Sequence, residues 1–109
     1  MEKAERRAAS TAYKERKVAA GIYVVRCGGR VFVGQSPNLA SVENRLRFTL
    51  AHGSHPNRAL QAAWVASGGA ALEIEIVETL AEEADAYLRG RALSERQGHW
   101  LAALKAERL

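Results

Sequence analysis

The chain has 109 residues, enough for one compact unit and too few for two independent cores. Hydrophobic residues make up 48% and charged residues 26%, a balance that suits a soluble globular domain and excludes disorder throughout. The formal net charge of +4 favours polyanionic partners, because Lys and Arg that neutralise phosphates release condensed counterions.

Cys27 is the only cysteine, so no intrachain disulfide can form and nothing points to an oxidising compartment. No apolar run approaches the roughly 20 residues of a membrane helix. The N-terminus is charged and lacks the apolar segment of a secretory signal. The expected location is cytoplasmic.

Residues 1–20 carry Lys3, Arg6, Arg7, Lys14, Arg16 and Lys17 among alanines and glutamates. This composition predicts a basic helix or arm, either a solvated face or a segment that tracks a nucleic-acid strand. From Gly21 the pattern becomes β-rich. The runs Gly21 to Cys27 and Arg30 to Gly34 flank Gly28-Gly29, which supplies the positive φ of a two-residue hairpin turn. Ser36, Pro37 and Asn38 then take the chain off the sheet, and Ser41 is placed to cap a helix beginning near Val42. Its apolar face is Val42, Leu46 and Leu50. Arg45 and Arg47 lie about 200° apart on that helix, so only one of them can lean over the hairpin.

His52 to His55 interrupt the helix. Pro56 is expected as the first residue of a second one, which carries Leu60, Gln61 and Trp64 to a stop at Gly68-Gly69. Leu72 to Ile76 alternates strictly, predicting a half-buried third strand with its glutamates in solvent. Residues 81–109 read as a long helix with a stripe of Leu88, Leu93, Gln97, Trp100, Leu101 and Leu104, and with Gly90 as a possible interruption. The expected fold is therefore α/β of the α+β kind: one three-stranded antiparallel sheet flanked by helices, in residues 21–109.

The order of these elements, with Gly21-Ile22-Tyr23 on the first strand and Phe32-Val33-Gly34 on the second, resembles the GIY-YIG endonuclease family. The resemblance continues through Gln35-Ser36, Asn38-Leu39, Arg45-Leu46, His55-Pro56-Asn57, Leu60 to Trp64 and Leu72 to Glu78. One tripeptide is weak, but an ordered set with compatible spacing is specific. What the resemblance implies is a nuclease domain that hydrolyses the phosphodiester bonds of DNA with one Mg2+ or Mn2+ ion. Such hydrolysis needs an activated water, a cation on the phosphoryl oxygens and help for the leaving oxygen.

Carried over, the resemblance makes Tyr23 the phenol near the attacking water, Arg45 the phosphate-binding cation, and His55 a phosphate donor or proton relay. Phe32, Gly34, Ser36, Arg47, Asn57 and Gln61 would meet substrate. For Tyr23 the plain alternative is a strand tyrosine packed on its ring. For Arg45 it is a solvated helix arginine, and for His55 and Asn57 it is loop capping.

Two positions depart from the family pattern. Phe32 stands where the second motif carries a tyrosine. The glutamate that would hold the metal falls on Gln97, an amide with an oxygen but no charge for a hard cation. Glu95 is the nearest carboxylate, yet two residues along a helix turn it about 200° away, so it can serve as metal ligand only if the helix is irregular, for instance at Gly98. The leading expectation is a metal-dependent DNA endonuclease. Its alternative is a catalytically impaired nucleic-acid-binding module, and a third is a protein-interaction scaffold using Trp64 or Trp100. Whether the DNA is single-stranded, duplex or branched stays open.

Overall fold

A computed structural model describes residues 19–69 and 72–109. The predicted basic helix or arm falls almost wholly in residues 1–18, outside the described residues. β1 (Gly21–Cys27) and β2 (Arg30–Ser36) form the expected antiparallel hairpin, with Gly28 at φ 59° and Gly29 at φ 81° in its turn. A short 3-10 turn (Leu39–Ser41) leads into α1 (Val42–Ala51), followed by α2 (Arg58–Ala66), β3 (Leu72–Thr79) and α3 (Ala86–Leu104). β4 (Glu107–Arg108) ends the order.

The sheet has four strands in the order β3-β1-β2-β4, one more than the expected three. The added strand comes from the C-terminal residues read as helix. α3 stops at Leu104 because Lys105 takes a left-handed conformation at φ 52°, which turns the chain back to lay β4 parallel to the outer edge of β2. Gly90 does not interrupt α3, which runs unbroken through it and through Gly98. The helix also starts later than Ala81, because Asp85 accepts from Tyr87 N (2.8 Å) and Leu88 N (3.1 Å) and so caps it.

The same physics moves two other boundaries. Asn57 accepts from Leu60 N at 2.9 Å and caps α2, leaving Pro56 just before the cap and not inside the helix. Ser41 makes no side-chain cap for α1; the capping side chain is Asn38, which accepts from Ala40 N at the start of the 3-10 turn.

β1 is central and buried on both faces, which is why its apolar run shows no alternation. Tyr23, Val25 and Cys27 pack with Phe32 against Val42, Leu46 and Leu50 of α1 and Leu60 and Ala63 of α2. Ile22, Val24 and Val33 pack on the other face, against Leu93 with Trp100, Leu101 and Leu104 of α3. Glu73 and Glu75 of β3 do face solvent, Glu75 pairing with Arg26 at 3.0 Å. Opposite Ile22 and Tyr23 of β1, which pair with Glu78 and Ile76, Val77 is the extra residue of a bulge in β3 that breaks its alternation. The bulge lets Val77 and Glu78 both reach α3: Val77 joins that core, and Glu78 accepts from Arg96 Nε (2.9 Å) and Trp100 Nε1 (2.8 Å).

Gly34 sits opposite Tyr23 in the hairpin, and the tyrosine ring lies across the place where a side chain would be. A Cβ there would come 2.6 Å from the Tyr23 hydroxyl oxygen and closer still to Cζ. Gly34→Ala is therefore expected to cost about 1–3 kcal/mol through overpacking, read as a lower urea midpoint with an unchanged slope. A wild-type midpoint would contradict this packing.

Candidate functional site

Tyr23 and Arg45 are brought together. Tyr23 is 7% exposed, and its hydroxyl has no hydrogen-bond partner among the described residues. Burial raises its pKa above the ordinary 10.0, and the nearby Arg45 charge opposes this without cancelling it. Arg45 is exposed and makes one side-chain contact, Nη1 donating to Ser41 Oγ at 3.3 Å. Its remaining donors stay open to an anion. Arg47 lies on the far flank, its charge paired with Glu43 at 3.0 Å. Of the two candidates, Arg45 is the one that leans over the hairpin.

The other candidates are taken up by structure. Phe32 is fully buried, with Arg30 over its ring at 5.6 Å and Glu107 of β4 alongside. Ser36 is 1% exposed, and its hydroxyl donates to Asn38 O and accepts from Asn38 N, both at 3.0 Å, closing the turn off the sheet. Both side chains are buried. Gln61 braces the α1–α2 loop, accepting from His55 N (3.3 Å) and donating to Leu50 O (3.1 Å). Asn57 caps α2 and reaches β4, donating to Arg108 O at 3.1 Å.

His55 accepts Asn57 N on Nδ1 at 3.0 Å. Burial lowers its pKa, so the ring is neutral at pH 7, and with Nδ1 accepting, the neutral ring carries its proton on Nε2 as a donor. It lines an open cleft of about 730 Å³ with Gly53, Pro56, Arg58 and Val65.

Among the described residues, Gln97 is the other buried polar side chain beside Ser36, at 2% exposed. It reaches the outer edge of β2 from α3, the helix on the face opposite Tyr23. Nε2 donates to Val33 O at 2.8 Å; Oε1 accepts from Gln35 Nε2 and from Arg108 Nη1, each at 2.8 Å. A carbonyl can only accept, so Val33 fixes which end of the amide is which. Both lone pairs of Oε1 are then used, one by a cation. This donor set does not fit a divalent metal, which needs a free oxygen lone pair and gains nothing beside a guanidinium.

Glu95 does not repair the site. α3 is continuous, so the irregularity that would redirect Glu95 is absent, and its carboxylate lies exposed, 3.8 Å from Arg91. Among the described residues no three His, Cys, Asp or Glu side chains are grouped to hold a metal.

Sequence reasoning missed Gln35 and Arg108. Gln35 was within reach, since period two sets it on the face opposite Gly34, toward α3. Arg108 was not, because its position depends on β4.

No protein-family model matches the chain, and no curated protein matches it significantly. Among solved structures, it is similar to the catalytic domain of the intron endonuclease I-TevI in a glutamate-to-alanine mutant form. The TM-score is 0.67 at 23% identity over 81% of this chain and 86% of that one. A second structure of the catalytic domain of that homing endonuclease gives 0.66 at 22% identity, covering 83% of this chain and 97% of the other. The chain therefore has the GIY-YIG type of fold.

Because the folded pKa of Tyr23 lies above its unfolded value, the stability that its neutral phenol contributes is fully present below the unfolded pKa, about 10. It is lost as pH rises through the folded pKa. Ultraviolet difference titration of the chain and of Tyr23→Phe is expected to show that the missing phenol is a late one to ionise, later than a free tyrosine. A missing phenol that ionises at or below the ordinary value would contradict the burial.

Proposed function

We propose that this chain is a nuclease-like, DNA-handling domain that grips the phosphodiester backbone and does not cut it with a metal bound at Gln97. The observation that carries the reading is the Tyr23–Arg45 pair: an exposed guanidinium with open donors beside a buried phenol, on a fold shared with an endonuclease catalytic domain. A planar donor fork suits the paired non-bridging oxygens of a phosphate, and the net charge of +4 supports a polyanion as partner. His55, neutral and with a donor on Nε2, is suited to add a hydrogen bond to a phosphate or base edge in the cleft it lines. A cytoplasmic setting goes with this reading, since the single cysteine, Cys27, is buried and unpaired.

A metal-dependent endonuclease using Mg2+ or Mn2+ is the second reading. The preserved Tyr23–Arg45 juxtaposition favours it, because those groups would flank an attacked phosphorus. It requires an acidic ligand from outside the Gln97 network, and the donor set there weighs against it.

Fluorescence anisotropy with single-stranded and duplex DNA, read across salt, tests the first reading. Binding is expected to weaken steeply with salt, and Arg45→Ala should reduce the slope of log K against log salt by about one, the loss of a single phosphate contact. Incubation with Mg2+ or Mn2+ should leave the DNA intact. Metal-dependent cleavage lost in Tyr23→Phe would instead support the second reading, and absence of salt-dependent binding would contradict both.

A further inference from the structure

We infer that the guanidinium of Arg108, seated on Gln97 at the outer edge of β2, takes the place of a divalent cation, so that this site receives a phosphate oxygen directly and recruits no metal. The ligand class rests on the proposed backbone-binding function; the exclusion of metal does not.

The seat is built from several independent contacts. Arg108 is held through its backbone by Asn57 Nδ2, which donates to its carbonyl at 3.1 Å. The next residue is pinned by Leu109 N donating to Val33 O at 3.0 Å, and the one before by Arg30 Nε donating to Glu107 at 2.8 Å. A two-residue strand is thereby fixed on both sides and from beneath. Its guanidinium donates Nη1 to Gln97 Oε1 and makes no other bond among the described residues. A guanidinium has five N–H donors, so most of this one faces outward from an exposed side chain.

The amide at 97 matters to the charge. A carboxylate there would neutralise Arg108 in an ion pair; the neutral amide orients the guanidinium and leaves its full positive charge at the surface. The same Oε1 has no lone pair left for a metal, and a dication approaching it would meet a like charge. Geometry and charge therefore both select an anion. The phosphate of a nucleic-acid backbone is an anion that a guanidinium fork can engage through two oxygens.

The test uses the full chain with two probes. Mn2+ followed by electron paramagnetic resonance is expected to show no stoichiometric binding. Duplex DNA followed by anisotropy is expected to show a salt slope reduced by about one in Arg108→Gln and kept in Arg108→Lys, which retains the charge. Circular dichroism and thermal melting establish that the variants are folded, and Gln97→Leu serves the metal arm. Stoichiometric Mn2+ binding that Gln97→Leu removes would overturn the exclusion of metal. A folded Arg108→Gln with an unchanged salt slope would overturn the phosphate contact. If the unsubstituted chain binds no DNA, the proposed function and the phosphate contact both fail, and the Mn2+ arm alone decides whether Arg108 keeps metal away.

Discussion

The side-chain amide of Gln97 ties α3, β2 and β4 together at one buried point, donating from Nε2 to the Val33 carbonyl and accepting from Gln35 and Arg108 on its oxygen. Much of the site depends on this junction. A buried amide left without partners would cost about 1–3 kcal/mol; Val33 and Gln35 satisfy both its ends, and the return of β4 adds Arg108 as the second donor on its oxygen. That return depends on the left-handed turn at Lys105, and it puts Leu109 against the Tyr23 and Phe32 core. The sheet edge that β4 covers is thus closed by the element that completes the Gln97 network.

The hairpin imposes the second constraint. With β1 buried on both faces, Tyr23 has its ring pressed over Gly34 and its hydroxyl near Arg45. The two faces then divide the chemistry. Tyr23 and Arg45 share the α1 and α2 side, while Gln97 and Gln35 meet on the α3 side, and β4 is the element that touches both. Such an arrangement offers cations and neutral donors to an anionic backbone. It offers no carboxylate where a metal ligand would be needed.

Much of this was legible in the sequence. Gly28-Gly29 between two β-branched runs required a hairpin, and the alternation of Leu72 to Ile76 required a strand with Glu73 and Glu75 outside. Those signals are local, so they survive without tertiary information. The errors arose where local propensity is overridden. Residues 105–109 have helical composition, but Lys105 turns the chain and the unpaired edge of β2 takes up Glu107 and Arg108. Pro56 is a good first helical residue, but Asn57 makes the better cap. Of the site, Tyr23, Arg45 and Gln97 were singled out by the resemblance to the GIY-YIG family. The role of Gln97 could not be read, because its partners come from positions 35 and 108, one across the sheet and the other on a strand the sequence did not announce.

A crystal structure of the chain with a short DNA oligonucleotide in the presence of Mn2+ would decide between a phosphate and a metal at the Gln97–Arg108 site. Backbone phosphate oxygens are expected on the Arg45 and Arg108 guanidiniums, with Gln97 still donating to Val33, no metal on its oxygen and an uncut strand. A manganese ion on Gln97 with Arg108 displaced, or a cleaved phosphodiester beside Tyr23, would contradict this reading.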